Sequence, residues 1–352
     1  MFNVLEFWKD FNSRRQAFVQ RTSPGGPAAP FTGDFRFNEP MAEHTTLKTG
    51  GPADLWIRPA LEDWSGPWVP EFLEAARRAE IPVFVLGGGA NLAVSSRGIR
   101  GIVLDTLGHA GLVEDPPSAR DGSGASRILR FRSGTALDYA AETAAALGLS
   151  GLEFFAGMPG SAGGGLWMNA RCYGREVAEA AVEAVFLDRG GARTVVLDRK
   201  TFGYKTSPFQ GMEGIILSVS FALHEKDPAG IREVMETYRR DREAKGHYRF
   251  PSAGSVFKNN RTFGKPAGRI IDELGLRGLS RGDAQVAPWH GNIIINRGKA
   301  RGEDIRALAE EVRRRVKDAL EIDLEPEILF AGDWAAIPGK PENPPARIAF
   351  LG

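Results

Sequence analysis

The sequence predicts an α+β fold. Three observations carry that reading: short β-branched runs recur along the chain, segments with helical spacing of apolar residues stand between them, and one pair of runs closes as a hairpin. The strand candidates are PVFVL, GIVLD, AVFLD, TVVLD, GIILSVSFAL and NIIIN. The hairpin joins VFLDRGG to ARTVVLDR around Arg189, Gly190 and Gly191, so part of the sheet is antiparallel.

Taken in order, residues 1–35 hold a short helical stretch and then TSPGGPAAPFTG, whose Pro and Gly content marks an N-terminal extension outside the main fold. ALDYAAETAAALG reads as a helix closed by Gly148. GEDIRALAEEVRRRVKDAL is a second helix, with Ile305, Leu308, Val312 and Val316 on one face. The final stretch, IPGKPENPPARIAFLG, is a proline-rich tail, and no repeat or low-complexity tract interrupts the chain.

With 352 residues, 42% hydrophobic and 25% charged, the composition suits a globular protein with room for two or three cores. A net charge of +1 provides no field of one sign, so neither nucleic acid nor an anionic membrane is an expected partner, and any anion must be bound locally. The single cysteine, Cys172, excludes an intrachain disulfide and a multi-cysteine metal cluster; no metal is expected. MFNVLEFWKDFNSRR lacks the apolar core of a signal peptide, and a cytoplasmic protein is the expectation. The oligomeric state is open, a monomer being favoured.

Two glycine clusters stand out. Val83-Phe84-Val85-Leu86 runs into Gly87, Gly88, Gly89, Ala90, Asn91 and Leu92, where backbone amides can approach a ligand with no side chain between. A triple glycine alone is as often a tight turn, and the G-x-G-x-x-G fingerprint is absent, which disfavours a Rossmann NAD fold. The second cluster comprises Gly157, Met158, Pro159, Gly160, Ser161, Ala162, Gly163, Gly164 and Gly165, and leads into Trp167-Met168-Asn169-Ala170. A long anionic cofactor held by backbone amides at both ends accounts for the two together.

On these segments the chain resembles the UDP-N-acetylenolpyruvoylglucosamine reductases. Further matching pieces are Asn38-Glu39-Pro40-Met41, Thr49-Gly50-Gly51-Pro52-Ala53, Phe202-Gly203-Tyr204, Pro251-Ser252-Ala253-Gly254-Ser255-Val256-Phe257-Lys258-Asn259, and Leu324-Glu325-Pro326-Glu327. Each is modest alone; their shared order, from about Asn38 to Gly332, is specific. The resemblance implies an FAD-binding domain of the vanillyl-alcohol-oxidase/PCMH type over 36–225, in subdomains of about 36–108 and 109–225. A smaller α+β substrate-binding domain follows over 226–320, then a strand returning to the first domain over 321–335 and a tail over 336–352. It also implies the shorter variety of the enzyme, bound FAD, and NADPH and a UDP-sugar enolpyruvate as the partners.

The implied reaction delivers hydride to an enolpyruvyl double bond, so three things are needed: cations or fixed donors on the carboxylate, a placed alkene, and a proton source. The resemblance assigns the proton to Ser255, with Lys258 and Asn259 beside it as binding groups for one anionic substrate. An isolated Gly-Ser would only shape a turn. The family's closing glutamate maps to Glu327, useful beside an anion only if it is protonated or orients a water or a cation; Glu325 reads as solvated. Tyr204 is a candidate to border the substrate pocket, and Lys205 follows it where the family usually carries arginine. Lysine keeps the charge and loses the two-donor fork. Arg171, where the family usually has a small residue, is the candidate to supply the missing guanidinium, a surface arginine being the competing reading. His44 and His290 read as packing residues. An FAD oxidase of the same flavin-binding class, and a homologue impaired in catalysis, are the rival functions.

Overall fold

A computed structural model describes residues 3–22, 31–113 and 126–334. Most of TSPGGPAAPFTG and the tail 336–352 lie outside the described residues.

The first layer is a sheet in the order Asp34–Pro40, Pro52–Arg58, Ile99–Asp105, Val83–Leu86, its first pair antiparallel and the rest parallel. Leu55, Ile57, Ile102 and Leu104 alternate onto one face and are buried against Trp68 and Phe72 of the helix Trp68–Arg78. The N-terminal segment is no loose extension. Its helix Val4–Thr22 buries Val4, Trp8 and Phe11 in this same core, because their spacing forms one apolar stripe.

The second layer is antiparallel, in the order Gly191–Val196, Ala181–Asp188, Ile215–Glu225, Ser126–Arg132. Asp188 opposes Gly191, which closes the expected hairpin. The helix Leu137–Ala146 covers the sheet and ends at Gly148, whose φ of +67° is the left-handed turn that glycine adopts without strain. The helix Pro228–Ala244 also packs here, burying Ile231 and Met235 with Phe154 and Phe221. The packing boundary therefore falls after Ala244, later than the expected start of the substrate domain at 226.

The third layer is a small antiparallel sheet, Ser252–Ser255, Ile293–Asn296, Ala284–Val286, Ser280–Arg281, covered by Gly302–Leu320. Ile305, Leu308, Val312 and Val316 are all buried in its core, as their spacing predicts. Leu324 and Ile328 join that core, and directly after Ile328 the strand Leu329–Ala331 pairs in parallel with Leu92–Val94 of the first domain. The end of the described chain thus stitches the small domain to the strand that leaves the first glycine loop.

Candidate active site

The two glycine loops back onto each other. A β-carbon on Gly88 would come 2.7 Å from Gly160 Cα, and one on Gly89, at φ +60°, would come 2.0 Å from the His44 carbonyl oxygen. A side chain at Gly88 would force the loops apart, and one at Gly89 would displace the chain at His44 and Thr45. Together they line a cavity of about 1020 Å³, to which every cofactor-binding residue expected from the sequence contributes: Gly87, Gly88, Gly89, Ala90, Asn91, Leu92, Gly157, Pro159, Gly160, Ser161 and Gly164. Two of them also work inside the protein. The Asn91 side-chain amide donates to the Glu327 carbonyl at 3.0 Å, and Ser161 Oγ accepts from Gly164 N–H at 3.4 Å.

Across the same cavity stand Ser255, Lys205, Arg171 and Glu327. Ser255 ends the strand Ser252–Ser255 and opposes Ile293. Glu327 N–H donates to Val256 C=O at 2.7 Å, so the glutamate's backbone runs beside the serine's. The Glu327 carboxylate is nearly buried and lies 2.7 Å from Lys205 Nζ. Of the roles open to it in the sequence, orienting a cation is the one this contact supports. Lys205 itself sits at φ +60°, a conformation uncommon for a residue with a side chain, and is fastened from both sides. Asn169 Nδ2 donates to Gly203 C=O at 2.9 Å, and Gln210 Nε2 donates to Lys205 C=O at 3.1 Å.

Arg171 opens the short hairpin Arg171–Cys172 with Arg175–Glu176. Its guanidinium carbon is 5.7 Å from the Tyr204 ring centroid, and its ion pair with Glu176 is long, at 3.9 Å. That leaves its donors largely free for a ligand. His247 also borders the cavity; burial, with Arg242 adding to it, holds its ring down to about 4, so it is neutral near pH 7. A second cavity of about 850 Å³ in the small domain shares Ser255 with the first and includes Asn259, Arg277, Trp289 and His290.

Comparison with known proteins decides the family. The C-terminal domain model of UDP-N-acetylenolpyruvoylglucosamine reductase matches residues 246–331, and an FAD binding domain model matches residues 68–194. The UDP-N-acetylenolpyruvoylglucosamine reductase of Treponema pallidum (strain Nichols) is 39% identical over 342 residues, covering 85% of this chain and 94% of its own. That of Treponema denticola is 38% identical over 315 residues, covering 86% and 95%. The crystal structure of the enzyme from Thermus caldophilus superposes with a TM-score of 0.63 at 33% identity, covering 85% of this chain and 98% of that one. The chain belongs to the UDP-N-acetylenolpyruvoylglucosamine reductase family.

As a member of that family it carries an FAD-binding domain, and the cavity fits the cofactor. Its volume lies at the upper end of the ~300–1,000 Å³ usual for small-molecule sites. The loops present backbone to it, and a β-carbon on Gly87 would already press on Ser161 Oγ at 2.4 Å. Gly164 is exposed to the cavity on the first turn of Ala162–Trp167.

Three binding residues expected from the sequence do not line the large cavity. Lys258 Nζ is 2.6 Å from the exposed Glu325 carboxylate and lines neither cavity. The Asn259 side-chain oxygen accepts from Ala267 N–H at 2.9 Å, tying down the start of the helix Ala267–Glu273. Tyr204 is outside the cavity wall, its hydroxyl accepting from Asn259 N–H at 3.3 Å. Lys258 lies beyond the end of the strand Ser252–Ser255, where its backbone N–H donates to Glu325 C=O at 2.8 Å, so its ammonium meets the Glu325 carboxylate and not the serine. Sequence reasoning also missed Asn169, fully buried at φ +44° with both amide ends engaged, and Arg242. His44 is a packing residue as expected, 2.9 Å from Glu39 and stacked on Trp56. Among the described residues no group of three His, Cys, Asp or Glu could hold a metal, and no helix is long and apolar enough to cross a membrane.

Proposed function

We propose that this chain reduces UDP-N-acetylglucosamine enolpyruvate to UDP-N-acetylmuramate with NADPH, in the cytoplasm, as a step of peptidoglycan precursor synthesis. The observation that carries the reading is one cavity lined by both glycine loops and by Ser255, Lys205 and Glu327. When bound, FAD accepts hydride from NADPH and supplies it to the terminal carbon of the enolpyruvyl group. The loops 87–92 and 157–164 hold that cofactor. Lys205, fixed by Glu327 and by its own backbone contacts, faces the substrate carboxylate together with Arg171, and the two cations offset the charge that grows there. Glu327 acts by aiming the ammonium. Ser255 gives its proton to the carbon next to the carboxylate.

The ion pair Lys205–Glu327 supports this division of labour. A lysine is a single mobile point charge, and an anchored carboxylate limits where it can go, which is what the missing arginine fork would otherwise do. The test is anaerobic. Purified protein should show a flavin spectrum, bleach with NADPH, and recover its colour with the enolpyruvyl UDP-sugar. A colourless protein that takes up no FAD, or a reduced flavin that the UDP-sugar leaves bleached, would overturn the reading.

A further inference from the structure

The turn after His44 touches two walls of the large cavity at once. Thr46 N–H donates to Gly89 C=O at 3.1 Å, in the first glycine loop. Thr46 Oγ1 donates to Ser252 C=O at 2.7 Å, on the strand that ends in Ser255. Thr46, Gly89, Ser252 and Ser255 all line the cavity. One residue thus joins the loop that borders the cofactor to the strand that presents the proposed proton donor.

That strand has little else to hold it in place. Ser252–Ser255 is the edge of its sheet, paired only with Ile293–Asn296 among the described strands, and the pairing slips between Ser252 and Ser255. Pro251 C=O accepts from Asn296 N–H on the paired side, so the next carbonyl, that of Ser252, points the other way. There the Thr46 hydroxyl meets it. Gly254, at φ +73°, breaks the extended backbone immediately before Ser255. Thr46 is a firm anchor by contrast. Its branched β-carbon restricts χ1, and its turn is gripped by the small domain: Asn296 Nδ2 donates to Leu47 C=O at 3.1 Å and to Lys48 C=O at 3.2 Å, and Leu47 is buried in that domain's core.

We infer that Thr46 is a positioning residue for the proton transfer, an inference that rests on the role proposed above for Ser255. Its hydroxyl sets where the edge strand stands relative to the first glycine loop, and so where the Ser255 hydroxyl stands relative to a substrate laid against the cofactor. Thr46 acts through the strand and gives up no proton itself. A misplacement of about 1 Å costs on the order of 10²-fold in rate, which sets the upper scale of the effect.

The experiment uses FAD-loaded Thr46→Val and Thr46→Ser proteins, checked by flavin spectrum and thermal unfolding. Valine keeps the shape of the side chain and removes the donor. Thr46→Val should be reduced by NADPH within a few-fold of the normal rate, while its limiting rate of reoxidation by the UDP-sugar falls roughly 10–100-fold. The UDP-sugar concentration that gives half that rate should move only a few-fold. Thr46→Ser, which retains the hydroxyl, should recover most of the loss. A further arm asks whether the effect passes through Ser255: placed on top of Ser255→Ala, Thr46→Val should slow reoxidation by no more than a few-fold again, because residues that act as a unit are not additive. Normal reoxidation in Thr46→Val, equal slowing of both half-reactions, loss of flavin or of the fold, no recovery in Thr46→Ser, or a full second loss on top of Ser255→Ala would each overturn the inference. A Ser255→Ala protein that reoxidises at the unaltered rate would instead sink the proton assignment itself, and the role of Thr46 with it.

Discussion

Ser255, Lys205, Arg171 and Glu327 meet at one cavity although they come from four separate stretches of chain, and each has a distinct job in the proposed reaction. Ser255 works in only one half of it. Ser255→Ala should bind FAD and be reduced by NADPH at close to the normal rate, while reoxidation by the UDP-sugar slows by the ~10²–10⁴-fold of a lost general acid. Rapid-mixing flavin spectra separate the halves; equal slowing of both would make Ser255 a shaping residue. Lys205 and Arg171 differ in how they are held. Lys205 is locked to Glu327 at 2.7 Å, and Arg171 has only a 3.9 Å contact with Glu176. Lys205→Arg should therefore be tolerated, whereas Arg171→Ala should cost on the order of 10²-fold in turnover with the UDP-sugar. Turnover unchanged in Arg171→Ala would return that residue to the solvated surface.

At the scale of elements, the glycine loops have two duties that a substitution must keep apart. Gly88 and Gly89 are required by close backbone approach to Gly160 and His44, so a side chain at either disturbs folding as well as ligand binding. Gly164 is different: its β-carbon would meet only Ser161 Oγ, at 3.3 Å, and the residue faces the cavity. Gly164→Leu should fold, keep its thermal midpoint within a few degrees, and purify with little flavin. Full flavin content in Gly164→Leu would remove that turn from the cofactor site. The strand Leu329–Ala331 shows how the elements cooperate. It pairs with Leu92–Val94, directly after the first loop, while Asn91 donates to Glu327 C=O, so the first glycine loop and the backbone of Glu327 are one mechanical unit.

For the whole molecule, two half-buried histidines couple folding to pH. His109 and His247 are both held down to about 4, chiefly by burial, against about 6.5 in an unfolded chain. A depressed histidine means that the unfolded state binds more protons between those values. Stability should be complete above pH 6.5, fall as pH drops toward 4, and flatten below it, with a slope that measures up to two protons. Denaturant unfolding followed across pH 7 to 4 checks the sign; stability that rises on acidification would refute it. Glu74, lowered to about 2 by Arg77 and Arg78, acts in a lower window, between 4.5 and 2, and contributes little because the pair is exposed.

The sequence by itself determined the α+β class, the hairpin at Arg189–Gly191, the faces of the principal helices, both glycine loops and the family, because these rest on periodicity, turn chemistry and ordered short segments. Arg242 was illegible there: in RRDREA it reads as one more charge on a solvated helix, and only the tertiary structure buries it on a cavity wall, in no ion pair among the described residues. Lys258 is the opposite case, close to Ser255 along the chain and paired with Glu325 in space. The packing of the N-terminal helix, the pairing of Lys205 with Glu327 and the meeting of Gly88 with Gly160 were likewise decided in three dimensions. The physical reason is common to all of them. Local propensity sets which way a side chain leaves its own helix or strand, but which charges face each other and which become buried depends on how distant segments pack.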